Sequence, residues 1–306
     1  MTTANTQHER TPLAQRIAGA PISWGVCEVP GWGYQLEVDR VLDEMRGVGL
    51  SATEFGPDGF LPVDPVLKAA KLAVHGLKAV GGFVPVVLHD PGHDPLPESD
   101  RALDGFVEAG AGVMVLAAAT GLDGYDVRPQ LGESEWKALF ANLDRIADRA
   151  AERGVQACLH PHVGTMIETG DDVSRLLAGA SIPLCLDTGH LLVGGSDPAA
   201  LAREVPERIV HTHLKDVDAA MAARVRAGEL TYTDAVKAGM YRPLGTGDVD
   251  IAGIVQTLEA HGYNGWYVTE QDTVLAEPAL DQASAENDSG PLGDIEASVA
   301  YLRSLG

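Results

Sequence analysis

Residue types that can do chemistry are concentrated in segment 211–216, which has the sequence HTHLKD and follows a short apolar run. In an extended strand successive side chains point to opposite faces, so His211, His213 and Lys215 share one face. Two imidazoles and an ammonium are costly to bury without partners, and a metal ion with carboxylate ligands would satisfy them. The alternative is one hydrogen-bonded core histidine beside a solvated Lys-Asp pair. The ends of the other strands must decide between these two interpretations.

More polar residues lie at or near the ends of five other predicted strands: Glu54, His89, His160, His162, Asp187, His190 and Glu270. Each alone is explained by a strand-end cap or by loop solvation. Their coincidence favours one shared site, because the strand ends of a barrel converge on one funnel. Histidine, aspartate and glutamate together form a ligand set for a divalent metal, with Mn, Co, Fe, Zn or Mg selected by geometry.

The elements that must position these residues alternate between strand and helix. Apolar runs predict strands over 16–24, 51–55, 77–89, 111–118, 155–160, 182–187, 208–214 and 265–270. Apolar residues at helical spacing predict helices between them, for example over 36–48 and 134–153. Eight such units in 306 residues predict an α/β fold, a single (β/α)8 TIM barrel, with its active site at the carboxyl ends of the strands.

The domain organisation follows from the same pattern. We expect a flexible N-terminal tail over residues 1–15 and one barrel domain over residues 16–306, with two helical pieces inside 218–247. An acidic stretch with Pro and Gly at about 274–293 predicts an inserted surface loop that could cover the site. No Gly-x-Gly-x-x-Gly follows the first strand, so a nucleotide site is not indicated.

Composition excludes several classes of partner. The net charge of −22 opposes binding to nucleic acid or to anionic lipid. The cysteines, Cys27, Cys158 and Cys185, form no Cys-x-x-Cys pair and predict neither a disulfide framework nor a zinc knuckle. The sequence contains no stretch of roughly 18 apolar residues and no apolar signal core at its start. We therefore expect a cytoplasmic enzyme acting on a small molecule, with a homo-oligomer as an open hypothesis.

The chain resembles a known family, the xylose isomerase-like metal-dependent barrels, which include sugar isomerases, epimerases and dehydratases. The resemblance covers about residues 17–305 and lies in the motifs LDTGH at 186–190, HTHLKD at 211–216 and VTE at 268–270. The segments APISWG at 20–25 and LHPHVGT at 159–165 look most like the inosose (2-keto-myo-inositol) dehydratases. The resemblance implies that Asp187, His213 and Glu270 bind a metal, that His190 contacts substrate and that Lys215 holds a substrate oxygen.

The fourth ligand of the family is a glutamate at the end of the fifth strand, and here the chain departs from the pattern. His160 stands before Pro161 at that position. Either His160 replaces the carboxylate, or Glu168 reaches in from the following loop, which is the alternative we favour from sequence. The departure disfavours a two-glutamate epimerase mechanism, which needs a base on each face of the sugar, and favours a dehydratase.

The leading hypothesis is therefore loss of water from a polyhydroxy ketone of the inosose type. A divalent metal, Mn or Co by preference and Mg, Fe or Zn as alternatives, would hold the carbonyl and stabilise an enediolate. Glu270, Glu168 or a histidine would take the α-proton, and a histidine would protonate the departing hydroxyl. The candidates for that acid are His160, His162 and His190.

Further side chains are predicted to contact the substrate. Trp24 is predicted to stack on the sugar, and Arg242 to grip a hydroxyl or carboxylate. Glu54, His89 and His162 are predicted to line the site.

The first alternative to a dehydratase is a sugar isomerase or epimerase using the same enediolate chemistry. A non-catalytic sugar-binding barrel is a rival from another class, and an endonuclease fits poorly with the acidic charge.

Overall fold

The computed structural model describes residues 10–277 and 291–306 and contains ten strands in that part of the chain. Eight of them form the barrel: β1 (Ile17–Gly19), β2 (Ala52–Glu54), β3 (Lys78–Val86), β4 (Val113–Ala118), β5 (Gln156–Leu159), β6 (Leu184–Asp187), β7 (Ile209–Leu214) and β10 (Tyr267–Thr269). The other two, β8 (Asp216–Val217) and β9 (Tyr241–Arg242), pair antiparallel to each other. The barrel closes in the order β1-β10-β7-β6-β5-β4-β3-β2 with every pair parallel, so the predicted (β/α)8 barrel is confirmed.

Burial on both faces explains the composition of the strands. Strand β4 has the sequence VMVLAA, and all but its first residue are buried, as expected for a parallel strand covered by helices outside and side chains inside. Val115, Cys158 and Cys185 pack together as a small cluster of buried residues. Both cysteines are free thiols, in keeping with a role as small buried hydrophobes.

Helices alternate with the strands of the barrel, and helical periodicity gives the longer ones a buried apolar face. They are α1 (Val38–Gly47), α2 (Pro65–Val74), α3 (Leu96–Ala109), α4 (Glu133–Glu152), α5 (Gly170–Gly179), α6 (Thr188–Val193), α7 (Pro198–Glu204), α8 (Ala219–Arg226), α9 (Tyr232–Lys237), α10 (Ile251–Ala260) and a C-terminal helix (Leu292–Ser304). In α4, for example, Leu139, Leu143 and Ile146 recur at helical spacing and are fully buried. Of the helices in the described ranges, none is both long and apolar enough to cross a membrane.

Three elements differ from the sequence prediction. The first strand ends at Gly19, and residues Pro21–Trp24 form a 3₁₀ helix, because Pro21 starts a helical turn readily but cannot donate to a sheet. Helix α6 begins directly after β6, where no helix was expected. The segment 216–247 holds the two expected helical pieces and also the unpredicted pair β8–β9.

The predicted tail and loop are described only in part. Residues 10–15 lie against the barrel, with Leu13 buried in the 3₁₀ helix Leu13–Gln15. Residues 1–9 of the predicted tail, and 278–290 of the predicted loop, fall outside the described residues. The start of that loop returns to the barrel mouth, where the Leu275 carbonyl accepts a hydrogen bond from Tyr34 N–H.

Candidate active site

The carboxyl ends of three neighbouring strands bring Asp187, His213 and Glu270 together. His213 Nδ1 lies 3.6 Å from Asp187 Oδ2 and 3.3 Å from Glu270 Oε2. The barrel register explains the meeting, since Asp187 of β6 and Val268 of β10 both pair with His213 of β7. Glu270 follows β10 directly, and all three side chains are buried. Residues distant along the chain thus share one small volume.

Asp187 is held by the helix that follows it. It is the N-cap of α6, and its Oδ1 accepts a 2.7 Å hydrogen bond from the backbone N–H of His190. The other oxygen, Oδ2, faces the cluster. Gly189 lets α6 approach this closely, because a Cβ there would lie 2.7 Å from the Cβ of Lys215. The Asp-Thr-Gly-His sequence therefore positions a carboxylate and a histidine with one helical turn.

His160 is part of this cluster, whereas Glu168 is not. His160 Nε2 lies 3.1 Å from Asp187 Oδ2, and the His160 and His213 rings have centroids 4.8 Å apart. Glu168 turns to other partners. Its Oε2 accepts a 2.7 Å hydrogen bond from Gly164 N–H and lies 3.4 Å from Arg128 Nε. The structure thus places the histidine, and not the loop glutamate, beside the other candidate ligands.

Glu54 orients His213 from the opposite side. Its Oε1 lies 3.0 Å from His213 Nε2 and 2.7 Å from His211 Nε2. A carboxylate that accepts from Nε2–H leaves Nδ1 as the nitrogen that would bind a metal. Without a metal, burial opposes protonation of His213, but nearby negative charges outweigh burial and raise its pKa well above the ordinary value. Burial raises the pKa of Glu54, but the charges and hydrogen bonds of His213 and His211 lower it by more, so its pKa is well below the ordinary value. Glu54 therefore stays an anionic acceptor.

Lys215 supplies a buried ammonium next to the cluster. Its Nζ lies 2.7 Å from Asp272 Oδ1, 3.0 Å from Glu270 Oε2 and 3.3 Å from Asp187 Oδ2. The ammonium also donates a 3.0 Å hydrogen bond to His190 Nε2. Burial opposes its charge, but the three carboxylates outweigh burial and raise the pKa of Lys215 well above its usual value. The site thus holds a permanent cation.

Imidazoles and aromatic rings pack together beside the carboxylates. The rings of His162 and His190 stack with centroids 3.6 Å apart, and His162 also contacts Tyr125 and Phe83. Burial lowers the pKa of His162 and of His190 well below the ordinary value, and that of His160 to about 4. These rings are therefore neutral at pH 7.

Glu270 is a weaker acid than Asp187, the neighbouring carboxylate of the cluster. Burial raises the pKa of Glu270 to about 6, although the positive charges of His213 and Lys215 oppose that rise. Asp187 behaves in the opposite way. Burial raises the pKa of Asp187, but Lys215 and the surrounding imidazoles lower it by more, so its pKa lies well below the ordinary value. Two carboxylates at one site are thereby separated in acidity.

Three predicted substrate contacts lie elsewhere. Trp24 is fully buried and donates from Nε1 to Glu44 of α1. His89 lines a separate surface pocket. Arg242 is largely exposed and pairs with Asp218 at 3.1 Å. The tryptophan that lines the cavity at the barrel mouth is Trp32.

Sequence reasoning missed five residues that surround the cluster: Phe83, Tyr125, Tyr232, Tyr241 and Asp272. The two-residue alternation after Glu270 was a signal for Asp272. No sequence pattern indicated the tyrosines. Tyr125 lies in a loop, and Tyr232 and Tyr241 lie in the excursion after β7, residues 216–247. The path of this excursion over the barrel mouth is set by tertiary structure.

The residues present fit a divalent metal. His160, Asp187 and His213 each offer a ligand atom, and these atoms lie within 4.8 Å of one another; Glu54, His211 and His213 form a second such group. His213 Nδ1 is buried, faces two carboxylates and has no hydrogen-bond partner among the described residues. Two imidazoles and two carboxylates are a suitable donor set for a divalent transition metal.

Comparison with known proteins assigns the chain to a family. A model of the xylose isomerase-like TIM barrels matches residues 66–304. The chain belongs to this family. Within the xylose isomerase-like barrels, it is 32% identical over 276 residues to an inosose dehydratase of Geobacillus thermodenitrificans, covering 86% of this chain and 92% of that protein. It is 34% identical over 277 residues to a rhizopine catabolism protein of Rhizobium meliloti, covering 87% and 85%.

Solved structures of other xylose isomerase-like barrels share the fold. A D-allulose 3-epimerase from Methylomonas sp. superposes with a TM-score of 0.65 at 15% identity, covering 97% of this chain and 100% of that chain. At this identity the likeness concerns the architecture alone. The residues at the strand ends described above must therefore be tested directly for function.

Proposed function

We propose that this protein is a metal-dependent carbohydrate dehydratase, a carbon–oxygen lyase that removes water from an inosose-type polyhydroxy ketone. The observation that carries the proposal is His160 beside Asp187 at the end of β5 and β6, in a chain 32% identical to an inosose dehydratase over most of its length. A histidine at this position adds an imidazole to the ligand set in place of a second glutamate.

The metal would be held by His160, Asp187, His213 and Glu270. When bound, a divalent ion supplies Lewis acidity to a ketone oxygen and so eases loss of the neighbouring proton. We propose Mn²⁺ or Co²⁺, because mixed imidazole and carboxylate ligands suit them. The Glu54 carboxylate supports the set by keeping the Nδ1 lone pair of His213 available.

The chain's own residues supply the proton transfers. His162 Nδ1 lies 2.6 Å from the Val163 carbonyl, so it is the protonated nitrogen and Nε2 carries the lone pair. His162 lines the cavity, and its lowered pKa keeps it neutral. We assign removal of the α-proton to this imidazole. The imidazolium so formed returns a proton to the departing hydroxyl, which leaves as water.

Lys215 binds and orients the substrate in this proposal. Its ammonium lines the same cavity as His162 and can donate to a substrate oxygen. Elimination needs one such proton-transfer unit, whereas epimerisation needs a base on each face of the sugar. His160 stands where the two-glutamate epimerase mechanism would need its second carboxylate, and this supports elimination.

The reaction can be identified by product mass. Metal-stripped protein reconstituted with Mn²⁺ is incubated with a panel of inososes and ketohexoses, with metal-free protein as the control. We expect an inosose product lighter than its substrate by one water, formed by the reconstituted protein alone. A product of unchanged mass would select the isomerase or epimerase, and unchanged substrates throughout would contradict catalysis.

The fourth ligand can be identified by metal content. We expect His160→Ala to retain at least tenfold less Mn²⁺ than the parent protein after dialysis, because it removes a donor 3.1 Å from Asp187. The matched change Glu168→Gln should retain one ion per chain, since that side chain contacts Gly164 and Arg128. Atomic emission spectroscopy measures both, and the reverse ranking would make Glu168 the ligand.

A further inference from the structure

The ammonium of Lys215 contacts two of the oxygens that a metal would need. Nζ lies 3.3 Å from Asp187 Oδ2 and 3.0 Å from Glu270 Oε2. These same two oxygens face His213 Nδ1. An ammonium in this position and a divalent ion on the proposed ligands would therefore draw on the same negative charge and would repel each other at short range.

A third carboxylate offers the ammonium another partner. Asp272 Oδ1, 2.7 Å from Nζ, is the nearest carboxylate oxygen to the Lys215 ammonium among the described residues. Asp272 is not one of the four ligands proposed above. It can therefore balance the charge of Lys215 while Asp187 and Glu270 bind metal. A buried ammonium without such a partner would remain on the ligand oxygens, because an uncompensated buried charge is costly.

Asp272 is held in place by the excursion after β7. The Tyr232 hydroxyl, from α9, donates a 2.5 Å hydrogen bond to Asp272 Oδ2. The Tyr241 hydroxyl, from β9, lies 3.0 Å from that of Tyr232. Both tyrosines are buried. With Oδ2 occupied by the phenol, Oδ1 is the oxygen presented to the ammonium.

We propose that Asp272 is a positioning residue that retains the Lys215 ammonium when a metal binds and so frees Asp187 and Glu270 from it, and that Tyr232 fixes Asp272 for this task. The inference rests on the metal centre proposed above and not on the reaction it catalyses. It gives the excursion 216–247 a function: α9 and β9 bring to the barrel mouth the hydroxyls that anchor a counter-charge.

Metal affinity measured without substrate tests the proposal. Mn²⁺ is titrated calorimetrically into metal-stripped full-length protein and into its variants. We expect Asp272→Asn to weaken Mn²⁺ binding roughly 10–100-fold, the range typical for partners outside the ligand set. The double variant Asp272→Asn/Lys215→Met should bind Mn²⁺ within about threefold of the parent. The competing ammonium is gone, and the loss of one negative and one positive charge leaves the net charge beside the ligands unchanged.

Two further variants separate positioning from general effects. Asp126→Asn removes a negative charge at the N-terminal end of α9, where Asp126 accepts from Thr233, and should leave Mn²⁺ affinity unchanged. Tyr232→Phe should weaken binding in the same direction as Asp272→Asn but by less. Thermal unfolding of each variant establishes that it is folded before titration.

Unchanged affinity in folded Asp272→Asn, or a loss that Lys215→Met fails to restore, would overturn the proposal. Absence of Mn²⁺ binding in the parent protein would overturn it together with the metal centre. If the affinities follow the expected order but no inosose loses water, the proposed dehydration fails and the role of Asp272 stands.

Discussion

Replacing Asp187 and His213 together with alanine is expected to abolish both metal content and turnover. The two side chains supply a carboxylate and an imidazole nitrogen, Nδ1, that faces it at the centre of the candidate ligand set. Loss of even one partner of a ligand typically costs 10–100-fold in metal affinity, so loss of two ligands should cost roughly 10⁴-fold or more. Metal analysis and the rate of water loss from an inosose measure the two effects.

A matched control is needed because Asp187 also caps α6. Removing an N-cap costs about 1 kcal/mol, whatever else the residue does. Asp197 caps the neighbouring helix α7 by accepting from Ala199 and Ala200 N–H, and it has no contact with the cluster. Asp197→Ala should therefore lose similar stability while keeping metal and activity. Full activity of metal-free parent protein, or metal bound normally by the double variant, would contradict the proposed centre.

Gly164→Ala is expected to lower kcat/KM by roughly 10–100-fold, by displacing the loop that carries His160 and His162. Gly164 has φ of +75°, and a Cβ there would lie 2.4 Å from both the Cα and the carbonyl oxygen of Tyr125. The backbone of one loop must therefore move. The same movement would break the Gly164 N–H bond to Glu168. Steady-state kinetics together with thermal unfolding measure the change.

The chain provides a close control for backbone strain. Gly154 has the same φ of +75°, but a Cβ built there meets nothing within 4 Å in the described part of the chain. Gly154→Ala should share the cost of a left-handed alanine, of order 1 kcal/mol, and keep normal kinetics. Equal kinetic losses in the two variants would show that strain and not contact with Tyr125 is responsible.

The architecture and the location of the polar cluster could be predicted because both depend on local patterns. Apolar runs separated by helical periodicity defined eight units, and a closed barrel places their ends together. Asp187, His213 and Glu270 lie at or near strand ends, so topology predicted that they would share one site, and the family resemblance singled them out as candidate ligands. Helix α6 was missed because its six residues, which start directly after Asp187, give too short a periodic signal.

The surroundings of the site could not be predicted from such patterns. Whether Glu168 folds back over the barrel depends on Arg128 and on the Gly164 N–H, neither of which sequence spacing reveals. Trp24 was expected in the pocket, but the 3₁₀ turn that replaces the end of the first strand directs it to Glu44. The Tyr232–Asp272 bond joins residues 40 positions apart through tertiary structure alone.

The cap that Asp187 forms on α6 has a consequence for how readily the cluster accepts an ion. One carboxylate oxygen is fixed by the first turn of the helix, so the rotamer of this side chain is chosen when the barrel folds. The entropy of ordering it is therefore lost before any ion arrives, and does not weaken the later association. Capture of a cation at this mouth should need little rearrangement of β6, and apo and loaded protein should show nearly identical amide exchange in α6.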